Sequence, residues 1–162
     1  MKPFLVLVIS FILFLALGAF VLPVDDHWIF AGNMAMSVML IFTAIGHFMF
    51  PDAMAKMIPP SVPFRKAFIY ASGLWEIMLA IGLLFPATRV VAGSTTIIFF
   101  IFILPLNVYS ASRHINIEKA CQPGPGPRYL WFRIPLQLFF ITWVWFFSIN
   151  QLACLYASHL TG

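Results

Sequence analysis

Apolar residues run nearly unbroken five times along this chain, and polar positions crowd into the intervals between the runs. The runs cover residues 3–22, 28–50, 67–85, 90–110 and 131–153. A helix advances about 1.5 Å per residue, so roughly 20 apolar residues cross about 30 Å of hydrocarbon. The pattern predicts an all-α integral membrane protein, with residues 1–162 forming a single transmembrane domain of five spans.

The intervals carry their own signals. Pro23 and the residues to His27 make a short turn in which Asp26 is a natural N-cap for the second helix. Within residues 52–58, Asp52 can cap a turn or two whose Met54, Met57 and Ile58 share a face, and Pro59 and Pro60 end it. That reads as a small amphipathic helix lying on the membrane surface. Residues 86–89 are too few for anything but a tight antiparallel hairpin. The loop 111–128 finishes in Pro123, Gly124, Pro125, Gly126 and Pro127, an extended spacer. No Gly-Lys-Ser/Thr follows it, so it is not a phosphate loop. Arg128, Tyr129, Trp131 and Arg133 then form an interfacial anchor of basic and aromatic side chains.

Composition excludes a soluble reading. Charged residues make up 9% and apolar residues 62%, whereas a soluble domain carries about 25% charged residues. The net charge of +4 is a matter of orientation. Lys2, Lys56, Arg65, Lys66, Arg113, Lys119, Arg128 and Arg133 fall on one side of an alternating five-span chain; Arg89 alone falls on the other, with Asp25 and Asp26. Cytoplasmic loops collect basic residues in this way. The N-terminus is therefore expected in the cytoplasm and the C-terminus outside, with the basic residues against lipid and no nucleic-acid partner. Cys121 and Cys154 would lie on opposite sides of the bilayer, which excludes a disulfide between them. One rival concerns the first span: Ala16, Leu17 and Gly18 before Ala19 resemble a signal cleavage site. The apolar run continues to Leu22, longer than a usual signal core, so we read a retained helix.

Polar residues inside the spans are the candidates for chemistry, because a charge at mid-bilayer costs several kcal/mol and turns inward. Glu76 lies about nine residues past Ala67, roughly 14 Å deep by helix rise. Ser72 lies one turn earlier, and Gly73 permits close helix approach. Two roles fit Glu76: a carboxyl that clamps helices by hydrogen bonds, or an acid that transfers a proton or binds a ligand. In the second span Asn33, Ser37, Leu40, Ala44 and His47 follow one interior-facing stripe. Thr96, Phe100, Ile103 and Asn107 align similarly in the fourth, where Pro105 loosens the helix, and Arg133 and Gln137 share a face of the fifth. The expectation is that His47, Asn107, Arg133 and Gln137 converge in the inner half of the bundle, with Ser72 and Glu76 deeper. One histidine within the spans excludes a bis-histidine haem from a single chain. One intramembrane carboxylate is too few for a di-iron site, and no metal cluster is expected. The 19 Phe and 5 Trp residues are mostly lipid-facing packing and secondarily a quinone or lipid pocket.

From Trp28 onward the sequence resembles the DoxX-like family of small membrane proteins. The residues that carry this are 42–48 with His47, Met57-Ile58-Pro59-Pro60, and 72–77 with Glu76, followed by Gly82-Leu83-Leu84 and Leu104-Pro105-Leu106-Asn107. The segment from Gly124 through Gln137 is similar to one bacterial subgroup. The family's usual Pro-Ala-Asn stands here as Pro105-Leu106-Asn107. The resemblance implies a bacterial cytoplasmic-membrane protein with a four-helix transmembrane bundle and one additional N-terminal helix. It also implies association with quinone-linked redox assemblies, but it assigns no catalytic residue. Two functions of different class follow. The first is an accessory subunit of a membrane redox assembly, bound to a membrane or peripheral redox partner, whose polar pocket holds a quinone or lipid-like molecule and which has no intrinsic cofactor. The second is a non-catalytic assembly or chaperone protein that recognises partner helices. A small-solute transporter is a third, against which stands the lack of an inverted pair of broken helices.

Overall fold

The computed structural model describes residues 2–20, 26–59, 61–112 and 130–150, which are helical with no strand among them. Their helices are α1 (Lys2–Phe20), α2 (His27–Met49), the short α3 (Pro51–Ala55), α4 (Arg65–Leu84), α5 (Arg89–Ser112) and α6 (Leu130–Val144). A π-helical turn, Trp145–Asn150, continues α6. The cysteines, the Pro/Gly spacer, Arg128, Tyr129, the turn before Asp26 and residues 151–153 of the fifth apolar run lie outside the described residues.

Five helices are long and apolar enough to cross a membrane: α1, α2, α4, α5 and α6 with its π turn. Their polarity is inverted relative to a soluble protein. Side chains turned outward include Ile9, Val91, Ile98, Phe102 and Leu138, whereas Asn33, Ser37, Glu76, Thr96, Asn107, Gln137 and Ser148 are all buried. In water such an exterior would be an aggregation surface; in lipid it is the favourable one. This is a helical membrane protein.

Small residues set how closely the helices approach, as they do where lipid removes the hydrophobic drive for association. A side chain at Gly18 of α1 would collide with His27 of α2, and one at Gly82 with Ala92 across the α4–α5 hairpin. One at Gly93 would strike Ser148. α2 is the common partner, lying against α1, α4 and the end of α6. Its buried stripe of Ala35, Met36, Met39 and Leu40 joins Leu7, Leu79, Leu83, Phe100 and Val144 in one apolar core.

The α4–α5 hairpin is tight because its own side chains finish α4. Thr88 Oγ1 donates to the Gly82 carbonyl at 2.8 Å, and Arg89 Nε donates to that of Leu83 at 3.3 Å. Both occupy carbonyls left over at the helix end. Arg89, the one basic residue set apart by the sequence, is thus a helix cap. Asp26 does stand at the N-cap of α2 but makes no side-chain capping bond.

The segment after α2 departs from expectation. α3 is a single turn whose N-cap is Phe50, and Asp52 pairs instead with Lys66 of α4 at 2.5 Å. Ala55, Met57 and Ile58 are buried, Ala55 and Ile58 packing with Ile69 of α4. Part of the apolar face therefore meets protein. In consequence the start of α4 runs alongside α3, and Tyr70 in its second turn stacks on Phe48 of α2.

Candidate functional site

Gly73 brings α4 onto α2 at His47: a Cβ on Gly73 would lie 2.9 Å from the His47 Cβ. Glu76, one turn farther along α4, consequently meets the same imidazole, with Oε2 3.3 Å from His47 Nδ1. Sequence reasoning set Glu76 deeper than His47. The structure puts them level, because the beginning of α4 is spent against α3.

The hydrogen bonding of this pair is incomplete. His47 Nδ1 lies 2.9 Å from the Thr43 carbonyl, one turn back. A carbonyl can only accept, so Nδ1 carries the proton and gives it to Thr43. In the neutral imidazole that leaves Nε2 as an acceptor. Among the described residues His47 bonds through Nδ1, and its side chain is 14% exposed. Glu76 is 4% exposed, yet its Oε2 has no hydrogen-bond partner among the described residues. The Thr43 hydroxyl lies beside this carboxyl but donates to the Met39 and Leu40 carbonyls at 3.2 and 2.9 Å. Polar atoms hidden from water almost always find a partner, so the orphan oxygen marks this place. Chemically it offers one carboxyl oxygen and one imidazole nitrogen to a small hydrogen-bonding group.

The remaining candidates divide. Asn107 Nδ2 donates to Gln137 Oε1 at 3.3 Å, and Gln137 Nε2 donates to the Phe100 carbonyl. The latter bond lies in the stretch of α5 just before Pro105, whose missing N–H loosens the ladder there. Asn107 and Gln137 are buried and tie α5 to α6. Ser72 is half-buried and spends its hydroxyl on the Ile69 carbonyl at 2.8 Å. Arg133, on the first turn of α6, is likewise half-buried. The expected single convergence is thus resolved into a Glu76–His47 pair on α2 and α4 and an Asn107–Gln137 pair on α5 and α6. Among the described residues no three His, Cys, Asp or Glu side chains gather as a metal site would require.

A second polar cluster escaped the sequence. Asn33 Nδ2 donates to the carbonyls of Ile29 and Phe147, both at 2.9 Å, while Ser148 Oγ donates to Asn33 Oδ1 at 2.7 Å. Ser37 Oγ reaches the Ala80 carbonyl at 2.9 Å, and Trp143 Nε1 reaches that of Gly32 at 3.1 Å. Every hydrogen-bonding atom of the Asn33 amide is used. The stripe containing Asn33 and Ser37 was visible in the sequence. Their partners were not, because Trp143 reads as lipid-facing and the π turn that presents Phe147 carries no local mark. Beside it Phe11, Trp28, Trp143 and Phe147 pack edge to face or tilted, with ring centroids 4.8–6.2 Å apart. They flank an apolar cleft of about 320 Å³. Trp28 and His47 are 19 residues apart on α2, roughly 28 Å along the axis, so this cleft and the Glu76–His47 pair belong to opposite ends of the helix.

Residues 36–148 match a protein family described as a domain of unknown function (DUF8561). The match covers more than two thirds of the chain, and the protein belongs to that family. No curated protein and no solved structure matches it.

Proposed function

We propose that this protein is an accessory subunit of a membrane redox assembly, and that Glu76 and His47 form an intramembrane polar pocket for a quinone or lipid-like ligand. The observation that carries the pocket is the buried Glu76 Oε2, without a hydrogen bond and 3.3 Å from His47 Nδ1. A quinol hydroxyl can donate to that oxygen or to His47 Nε2, and a quinone carbonyl can accept from the carboxyl in its acid form. The redox association itself rests on the resemblance to DoxX-like proteins. In this reading α2, α4, α5 and α6 are the four-helix bundle and α1 is an addition, in keeping with a family match that begins inside α2. The distribution of basic residues supports a cytoplasmic N-terminus and a C-terminus on the other side; the bacterial cytoplasmic membrane rests, like the redox association, on the resemblance.

The test is ubiquinone binding to the purified full chain, followed by quenching of tryptophan fluorescence, with Glu76→Gln and His47→Ala compared to the parent. The proposal expects at least tenfold weaker binding in one of them. Unaltered binding in both rejects it. The same orphan oxygen suits a second reading, an assembly protein whose Glu76 receives a donor from a partner helix. Co-purification in mild detergent separates the two: one stable redox partner favours the subunit, and diverse helical clients lost on Glu76→Gln favour the chaperone.

A further inference from the structure

The beginning of α4 holds a feature independent of the Glu76–His47 reading. α3, the turn after it and the start of α4 enclose a cleft of about 510 Å³ walled by Asp52, Lys56, Val62, Phe64, Arg65 and Lys66. Three of those six side chains are cationic. Asp52 neutralises only one of them, Lys66, and by doing so braces α3 against α4 at 2.5 Å. Lys56 and Arg65 have no ion-pair partner among the described residues. The cleft therefore carries two positive charges that no described carboxylate compensates, on a framework fixed by the buried Ala55, Ile58 and Ile69.

Its position is defined by the chain itself. The apolar span of α4 begins at Arg65, so the cleft sits where hydrocarbon gives way to the polar boundary of the bilayer. Phe64 adopts φ 53, a left-handed conformation uncommon for an aromatic residue, and its ring is 86% exposed. Phe68, one turn into the span, is also exposed. Cations and outward-facing rings thus lie side by side across the boundary.

We propose that this cleft binds the headgroup phosphate of an anionic phospholipid, held by Lys56 and Arg65, with an acyl chain lying over Phe64 and Phe68. The charge selects an anion, and the adjoining rings select an amphiphile over free phosphate. The orientation of the protein does not enter, because a phosphate layer bounds both faces of a bilayer.

The experiment is native mass spectrometry of the delipidated full chain, titrated with dioleoylphosphatidylglycerol, dioleoylphosphatidylcholine or inorganic phosphate. Retained phosphatidylglycerol adducts several-fold above phosphatidylcholine, without retained phosphate, are expected. Lys56→Gln and Arg65→Gln should each lower phosphatidylglycerol retention about fivefold, the effect of removing one cation near an anionic surface. The control pair Lys2→Gln with Arg89→Gln removes two cations that do not line the cleft and should leave retention unchanged. Phe64→Ser should weaken lipid retention in a variant whose cations are intact. Equal retention of the two lipids overturns the proposal, as does equal loss from the control pair; phosphate held as well as lipid overturns the assignment to a phospholipid.

Discussion

One face of α2 carries two polar centres about 21 Å apart along the helix axis, and they are built to opposite rules. At Asn33 every amide atom is satisfied, by Ile29, Phe147 and Ser148, so the N-terminal part of α2 is fastened to the end of α6. At His47 the neighbouring carboxyl of Glu76 is as deeply buried but leaves Oε2 without a hydrogen bond. A closed network holds helices together and has nothing left to offer a ligand. An open one contributes little to holding them and keeps its bonding capacity. Depth and polarity alone do not separate these cases; accounting for each donor and acceptor does.

That contrast can be tested most severely at Asn33. Asn33→Leu strands the Ser148 hydroxyl and the Phe147 carbonyl, and should cost about 3 kcal/mol, read from unfolding in mixed micelles. Gly32→Ala pushes a methyl group into the Phe147 ring and should cost about 2 kcal/mol by overpacking in the same assay. The Asn107–Gln137 pair is a smaller fastening. A double-mutant cycle with Asn107→Leu and Gln137→Leu should return a coupling near 0.6 kcal/mol, the average for bonds between helices in lipid. Glu76→Leu should do least harm to the fold: removing an unsatisfied oxygen leaves stability within about 0.5 kcal/mol of the parent or above it. A loss at Glu76→Leu as large as that at Asn33→Leu would erase the distinction between the two centres.

How much of this was legible depends on the length of the signal. The five apolar runs are long and nearly uninterrupted, and five membrane-length helices stand where they lie. The hairpin at 86–89 was equally plain, since so few residues permit no other connection. The site was legible as residues but not as an arrangement. Gly73 pointed to close helix approach, and it does bring α4 onto His47. The relative depth of Glu76 and His47 is not legible from distance along each span, since the two meet at 3.3 Å. Only tertiary structure reveals that α4 begins beside α3. At 52–58 the shared apolar face was legible, but its packing on Ile69 was not, because Met57 and Ile58 are as suited to a neighbouring helix as to lipid. The partners of Asn33 depend on a π turn, which no Gly or Pro announces within Trp145–Asn150.

That turn has a consequence for anyone reading the end of α6 as a wheel diagram. An α-helix advances about 100° per residue, and a π turn accommodates one residue more before the chain comes round again. The azimuth of each side chain past Val144 is therefore offset from the one its sequence spacing suggests. The offset aims Ser148 at Asn33 and frees the Phe147 carbonyl to point sideways. A gain or loss of a single residue between Trp145 and Asn150 would reset that phase, and the bolt and its socket would no longer face each other.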